Sequence, residues 1–138
     1  MKHLILSFFV ILSMTACNNQ SKSTNTDNAT VAIDTSTVNV YYFHGKQRCK
    51  TCIAVGNIAK ETVENNYKDN NKVQFVEINT SDKNNEALIE KYEVTWNALI
   101  IAKDDNYVEI TDQAFATAIS NPQTLEKLIT EEINKKLQ

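Results

Sequence analysis

Residues 98–102 read ALIIA, an apolar run with no polar break. So short a run suits a strand better than a helix. Side chains on a strand alternate between faces, so Leu99 and Ile101 share one face while Ala98, Ile100 and Ala102 share the other. Both faces need cover, which places this strand in a sheet lying between helical layers. Residues 73–79 (VQFVEIN) also carry apolar side chains on both faces and read as a second central, doubly buried strand.

The rest of the chain supplies the helices that such a sheet requires. Residues 38–43 (VNVYYF) form a β-branched and aromatic strand, with Tyr41, Tyr42 and Phe43 alternating between core and surface. Residues 51–68 place Val55, Ile58, Ala59, Thr62, Val63 and Tyr67 at helical spacing. Ser81 or Asp82 caps a short helix through Ala87, Leu88 and Tyr92. Asp104, Asp105 and Asn106 make a tight turn, from which residues 107–110 (YVEI) return antiparallel. A short helical piece is expected at 113–119. Asn121 and Pro122 then combine an N-cap with proline at the first helical position. The helix they open buries Leu125, Leu128, Ile129, Ile133 and Leu137. The predicted order is β-α-β-α-β-β-α, an α/β fold with a central mixed sheet whose first two strands are joined by a right-handed crossover.

Composition narrows the choice further. A length of 138 residues suits one core. With two glycines and one proline, an all-β fold held by many tight turns is disfavoured. A formal charge of −3 and a pI near 5.4 exclude the dense basic face that nucleic acid requires.

Residues 1–16 open with Lys2, continue with an apolar run from Leu4 to Leu12 and close on Thr15 and Ala16, the layout of a secretory signal. The run is too short to span a bilayer, which takes about 20 apolar residues. Met14-Thr15-Ala16-Cys17 resembles the bacterial lipobox, with Met14 where leucine is usual. That resemblance implies a diacylated Cys17 as mature N-terminus, and an exported protein anchored to a bacterial membrane on its periplasmic or outer-membrane side. Residues 17–36, rich in Asn, Ser and Thr, read as a polar flexible tether, leaving residues 37–138 as the folded domain.

Between the first strand and the first helix lies His44-Gly45-Lys46-Gln47-Arg48-Cys49-Lys50-Thr51-Cys52. A C-x-x-C where a strand passes into a helix is the arrangement of thioredoxin-like oxidoreductases. The first sulfur meets the free N–H groups and positive end of the helix, which stabilise its thiolate. Lys46, Arg48 and Lys50 add positive charge. Cys49 is therefore the expected nucleophile and Cys52 the resolving thiol.

The domain thus resembles the thioredoxin-like fold, a three-layer sandwich. FHGKQRCKTC, through Phe43-His44-Gly45, Arg48-Cys49 and Thr51-Cys52, is similar to the motif of a small prokaryotic family, the ArsF-type subunit of nitrophenyl compound nitroreductases. The resemblance implies a redox-active dithiol and a place beside another reductase subunit, without carrying nitro reduction to this chain. Two departures from thioredoxin stand out. Residues 92–100 have no proline where thioredoxins place a cis-proline facing the cysteines, and Asn97 takes that position. The strand before the motif also lacks the acid that serves thioredoxin as a proton acceptor, leaving His44, an imidazole, for that role.

The expected activity is thiol–disulfide exchange with protein thiols or a reductase partner, by a monomer with no cofactor beyond the Cys49–Cys52 disulfide. Two readings compete with it. The two thiols with His44 could hold Cu(I) or Zn(II), as a metal-binding or chaperone module. Alternatively the disulfide is inert and the domain only docks a partner. Trp96, beside the motif region, reads as a half-buried core aromatic before it reads as a substrate platform.

Overall fold

A computed structural model describes residues 36–138. The expected leader at 1–16, Cys17 and the tether up to residue 35 lie outside the described residues. The elements are β1 (Val38–His44), α1 (Lys50–Asn66), β2 (Val73–Asn79), a 3-10 turn (Lys83–Asn85), α2 (Glu86–Lys91), β3 (Ala98–Lys103), β4 (Asn106–Glu109), α3 (Thr111–Thr117) and α4 (Pro122–Leu137). The protein is an α/β fold around a four-stranded mixed sheet of order β2-β1-β3-β4. β1 runs parallel to β2 and antiparallel to β3, and β4 returns antiparallel along β3.

Strand order corrects two expectations. Residues 73–79 form an edge strand, with Val73 and Ile78 buried but Glu77 exposed. An edge strand between two helical layers still shows apolar side chains to both, so residue pattern alone does not separate edge from centre. Two strands have neighbours on both sides: β3, between β1 and β4, and β1. The β1 run from Val38 to Phe43 is buried throughout, so Tyr41 and Tyr42 both point into core instead of alternating with surface.

Each face of the sheet carries its own core. Val40, Tyr42, Leu99 and Ile101 pack against Val55, Ala59 and Val63 of α1, Ala114 of α3, and Leu125, Ile129 and Ile133 of α4. Tyr41, Phe43, Ile78, Ala98, Ile100 and Ala102 face the other way, against Leu88 of α2 and Tyr92. Tyr92 is the hub of the second core, with ring centroids 5.5 Å from Tyr41, 6.1 Å from Phe43 and 5.0 Å from Tyr107.

Local signals operate as their chemistry dictates. The Asn121 side chain accepts from the Thr124 N–H at 3.3 Å, with Pro122 at the first position of α4. Asp82 accepts from the Asn84 N–H at 3.0 Å and caps the 3-10 turn ahead of α2. The β3–β4 hairpin places Asp104 at φ 55°, a left-handed conformation that short polar side chains tolerate. The far end of α4 is tied down by Lys136 Nζ, which donates to Asn106 Oδ1 at 2.8 Å.

Candidate active site

The last residues of β1, the loop Gly45–Cys49 and the first turn of α1 build the site. Cys49 is the N-cap of α1, with extended backbone at φ −77° and ψ 168°. Its Sγ accepts from the Cys52 N–H at 3.1 Å, so the sulfur satisfies a donor that the helix leaves free. The first turn of α1 carries no acidic side chain to offset the positive helix end. Cys49 is exposed and Cys52, one turn further in, is buried; the two are joined as a disulfide with Cα atoms 5.0 Å apart.

Tyr42 fixes that first turn from below. Its hydroxyl donates to the Cys52 carbonyl oxygen at 2.6 Å. Burial raises the Tyr42 pKa, with the Arg48 guanidinium opposing the shift. Helix and strand meet closely at Gly56. A Cβ there would lie 2.6 Å from Arg48 Nη2 and 2.8 Å from Tyr42 Cε1, contacts that side chains do not sustain. Glycine is required here for close approach.

Arg48 bridges the site to β2. Its guanidinium carbon lies 5.4 Å from the centre of the Tyr42 ring, and Nη1 donates to Glu77 Oε1 at 2.7 Å. Glu77 stands opposite Tyr42 in the parallel β1–β2 register. His44 ends β1 with its ring stacked 5.7 Å from that of Tyr42. Its Nε2 lies 3.2 Å from Glu77 Oε1 and its Nδ1 lies 2.9 Å from the Gly45 carbonyl oxygen. Both ring nitrogens therefore face oxygen acceptors, of which a neutral imidazole can donate to only one.

From the opposite side, Asn97 brings its Nδ2 to 3.9 Å from Cys52 Sγ. Asn97 is thus the residue that faces the buried sulfur. Its neighbour Trp96 departs from expectation: it is 78% exposed, not half-buried in core. It lines a groove of about 280 Å³ with Gly45, Lys46, Gln47, Thr80, Thr95 and Asn97. Lys50 is exposed at the start of α1.

The structure thus gathers His44, Arg48, Cys49, Lys50, Cys52 and Asn97 about one helix start, with Trp96 at the rim of the adjoining groove. Sequence reasoning passed over Tyr42, Gly56 and Glu77. For Glu77 a signal was present, since it is the one acid in VQFVEIN and parallel pairing sets it beside β1. Among the described residues, no group of three or more His, Cys, Asp or Glu side chains is placed to hold a metal ion. No protein-family model matches this chain, and no curated protein matches it.

Proposed function

We propose that this protein is a thiol–disulfide oxidoreductase of thioredoxin-like fold, acting through Cys49 and Cys52. One observation carries the reading: the two sulfurs are unequal, Cys49 exposed at the N-cap of α1 and Cys52 buried behind it. An exchange protein needs that asymmetry, because one sulfur meets the partner and the other waits for it. The helix N–H on Cys49 Sγ favours its thiolate, the attacking species. The four-stranded mixed sheet, with helices on both faces and the cysteines between β1 and α1, supports the thioredoxin-like assignment.

In the reducing direction, the Cys49 thiolate attacks one sulfur of a partner disulfide. That S–S bond breaks, one partner thiolate leaves, and a mixed disulfide forms. The Cys52 thiolate then attacks Cys49 Sγ and expels the second partner thiolate. The Cys49–Cys52 disulfide closes, two electrons have passed to the partner, and the two protons lost by the dithiol are taken up by the partner's thiols. The oxidising direction is the reverse. Asn97 Nδ2 is placed to donate to Cys52 as its sulfur gains negative charge. The reading includes the lipid anchor expected at Cys17 and a reductase or thiol-bearing protein as partner.

Trapping tests the order of attack. With a disulfide-bonded peptide as probe, Cys52→Ser accumulates the mixed disulfide on Cys49, while Cys49→Ser forms none. Equal trapping by both variants, or by neither, contradicts the mechanism.

A further inference from the structure

Resting on the exchange reading, a further role attaches to Glu77, which touches neither sulfur. Arg48 immediately precedes Cys49 and is a permanent positive charge. Left unpaired, it favours the Cys49 thiolate and with it the reduced protein. It is not left unpaired. Glu77 Oε1 accepts from Arg48 Nη1 at 2.7 Å and lies 3.2 Å from His44 Nε2.

The surroundings favour this pairing, although the Glu77 side chain is 44% exposed. The guanidinium lies over the Tyr42 ring, and its Nη2 packs where Gly56 has no side chain. Glu77 is held opposite Tyr42 by the β1–β2 ladder, so ring, guanidinium and carboxylate share one face of the sheet. Lys46 and Lys50, the other cations of the motif, are exposed. Their charge is screened by solvent more than that of Arg48, whose side chain is 25% exposed.

We propose that Glu77 sets the redox poise of the Cys49–Cys52 pair by neutralising Arg48. It acts as a positioning residue: the carboxylate holds the guanidinium in place and at the same time cancels the charge that would stabilise the Cys49 thiolate. Glu77 therefore shifts the pair toward the disulfide. The equilibrium concerned is protein disulfide plus two glutathione thiols giving protein dithiol plus glutathione disulfide, and Glu77 draws it to the left.

The test is Glu77→Gln, which keeps an oxygen acceptor for Arg48 and removes the charge. Glu77 is exposed at an edge strand, so the variant should fold, as far-ultraviolet circular dichroism will verify. Thiolate absorbance of the phosphine-reduced protein, followed against pH, reads the lower thiol titration, which the same measurement in a Cys52→Ser background assigns to Cys49. The expected result is a titration about one pH unit lower and a glutathione equilibrium shifted about tenfold toward the dithiol. Glu77→Asp, which retains the charge, should stay within about twofold of the parent. In an Arg48→Gln background, Glu77→Gln should move the titration less than half as far. An unchanged or higher titration in Glu77→Gln overturns the proposal, and so does an undiminished shift without Arg48. Because the thiol titration needs no exchange partner, it separates this role from the exchange reading: a parent protein inert to glutathione contradicts exchange while the titration still decides Glu77.

Discussion

The hydroxyl of Tyr42 donates to the carbonyl oxygen of Cys52 at 2.6 Å, tying β1, an inner strand of the sheet, to the turn that carries both cysteines. Tyr42 is fully buried, and its ring also supports Arg48. One side chain therefore couples the core to the active loop. Tyr42→Phe removes the hydrogen bond and keeps the ring. The loss should be about 1–2 kcal/mol, since a buried acceptor is left without this donor. Urea unfolding of the oxidised domain measures it, and no measurable loss would show that the bond adds nothing to the anchoring of α1.

Trp96 supplies the opposite case. With 78% of its surface exposed, its indole makes little contribution to the core. Trp96→Ala should change stability by no more than about 0.5 kcal/mol, as surface substitutions do. A core aromatic would cost about 3–5 kcal/mol on the same change. Because Trp96 is the single tryptophan, its fluorescence gives a second check: emission should be that of a solvated indole already in the folded state.

Much of the architecture was legible in the residues. ALIIA at 98–102 is buried at every position, Asn121 and Pro122 open α4 as an N-cap and first-turn proline do, and the C-x-x-C lies where a strand passes into a helix. These features rest on local chemistry. What escaped depends on long-range pairing. VQFVEIN is apolar on both faces because helices cover both faces, whether it lies at the centre or at the edge. Tyr41 and Tyr42 carry hydroxyls and so read as partly surface, yet Tyr42 finds its acceptor 10 residues on, inside the core. The Arg48–Glu77 pair spans 29 residues and exists only because β1 and β2 pair in parallel register. Trp96 has the hydrophobicity of a core residue, and only the path of its loop turns it outward.

The buried tyrosines set the alkaline limit of the fold. Burial, with Tyr92 adding and Lys91 opposing, pushes the Tyr41 pKa up to about 12. Burial raises Tyr42 and Tyr92 as well. In the unfolded chain these phenols ionise near pH 10. Between those values the folded protein holds protons that the unfolded chain gives up, so stability is complete below about pH 10 and is lost as pH rises toward about 12. Lys136 works in the other sense: burial lowers its pKa, so stability rises with pH just below the ordinary lysine range. The three tyrosines should dominate. Phenolate absorbance followed together with circular dichroism should show part of the phenolate signal appearing only as the fold is lost. Complete ionisation near pH 10 with the fold intact would contradict the buried positions of these rings.

Exchange of electrons between the Cys49–Cys52 disulfide and other thiols is tested most directly by the potential of that bond. Equilibrating the protein in glutathione or dithiothreitol buffers, then counting free thiols by alkylation and mass, gives its reduction potential. A value between about −120 and −270 mV, the range of exchange proteins, is the predicted result. A value below about −300 mV would mark the bond as structural and contradict the exchange activity.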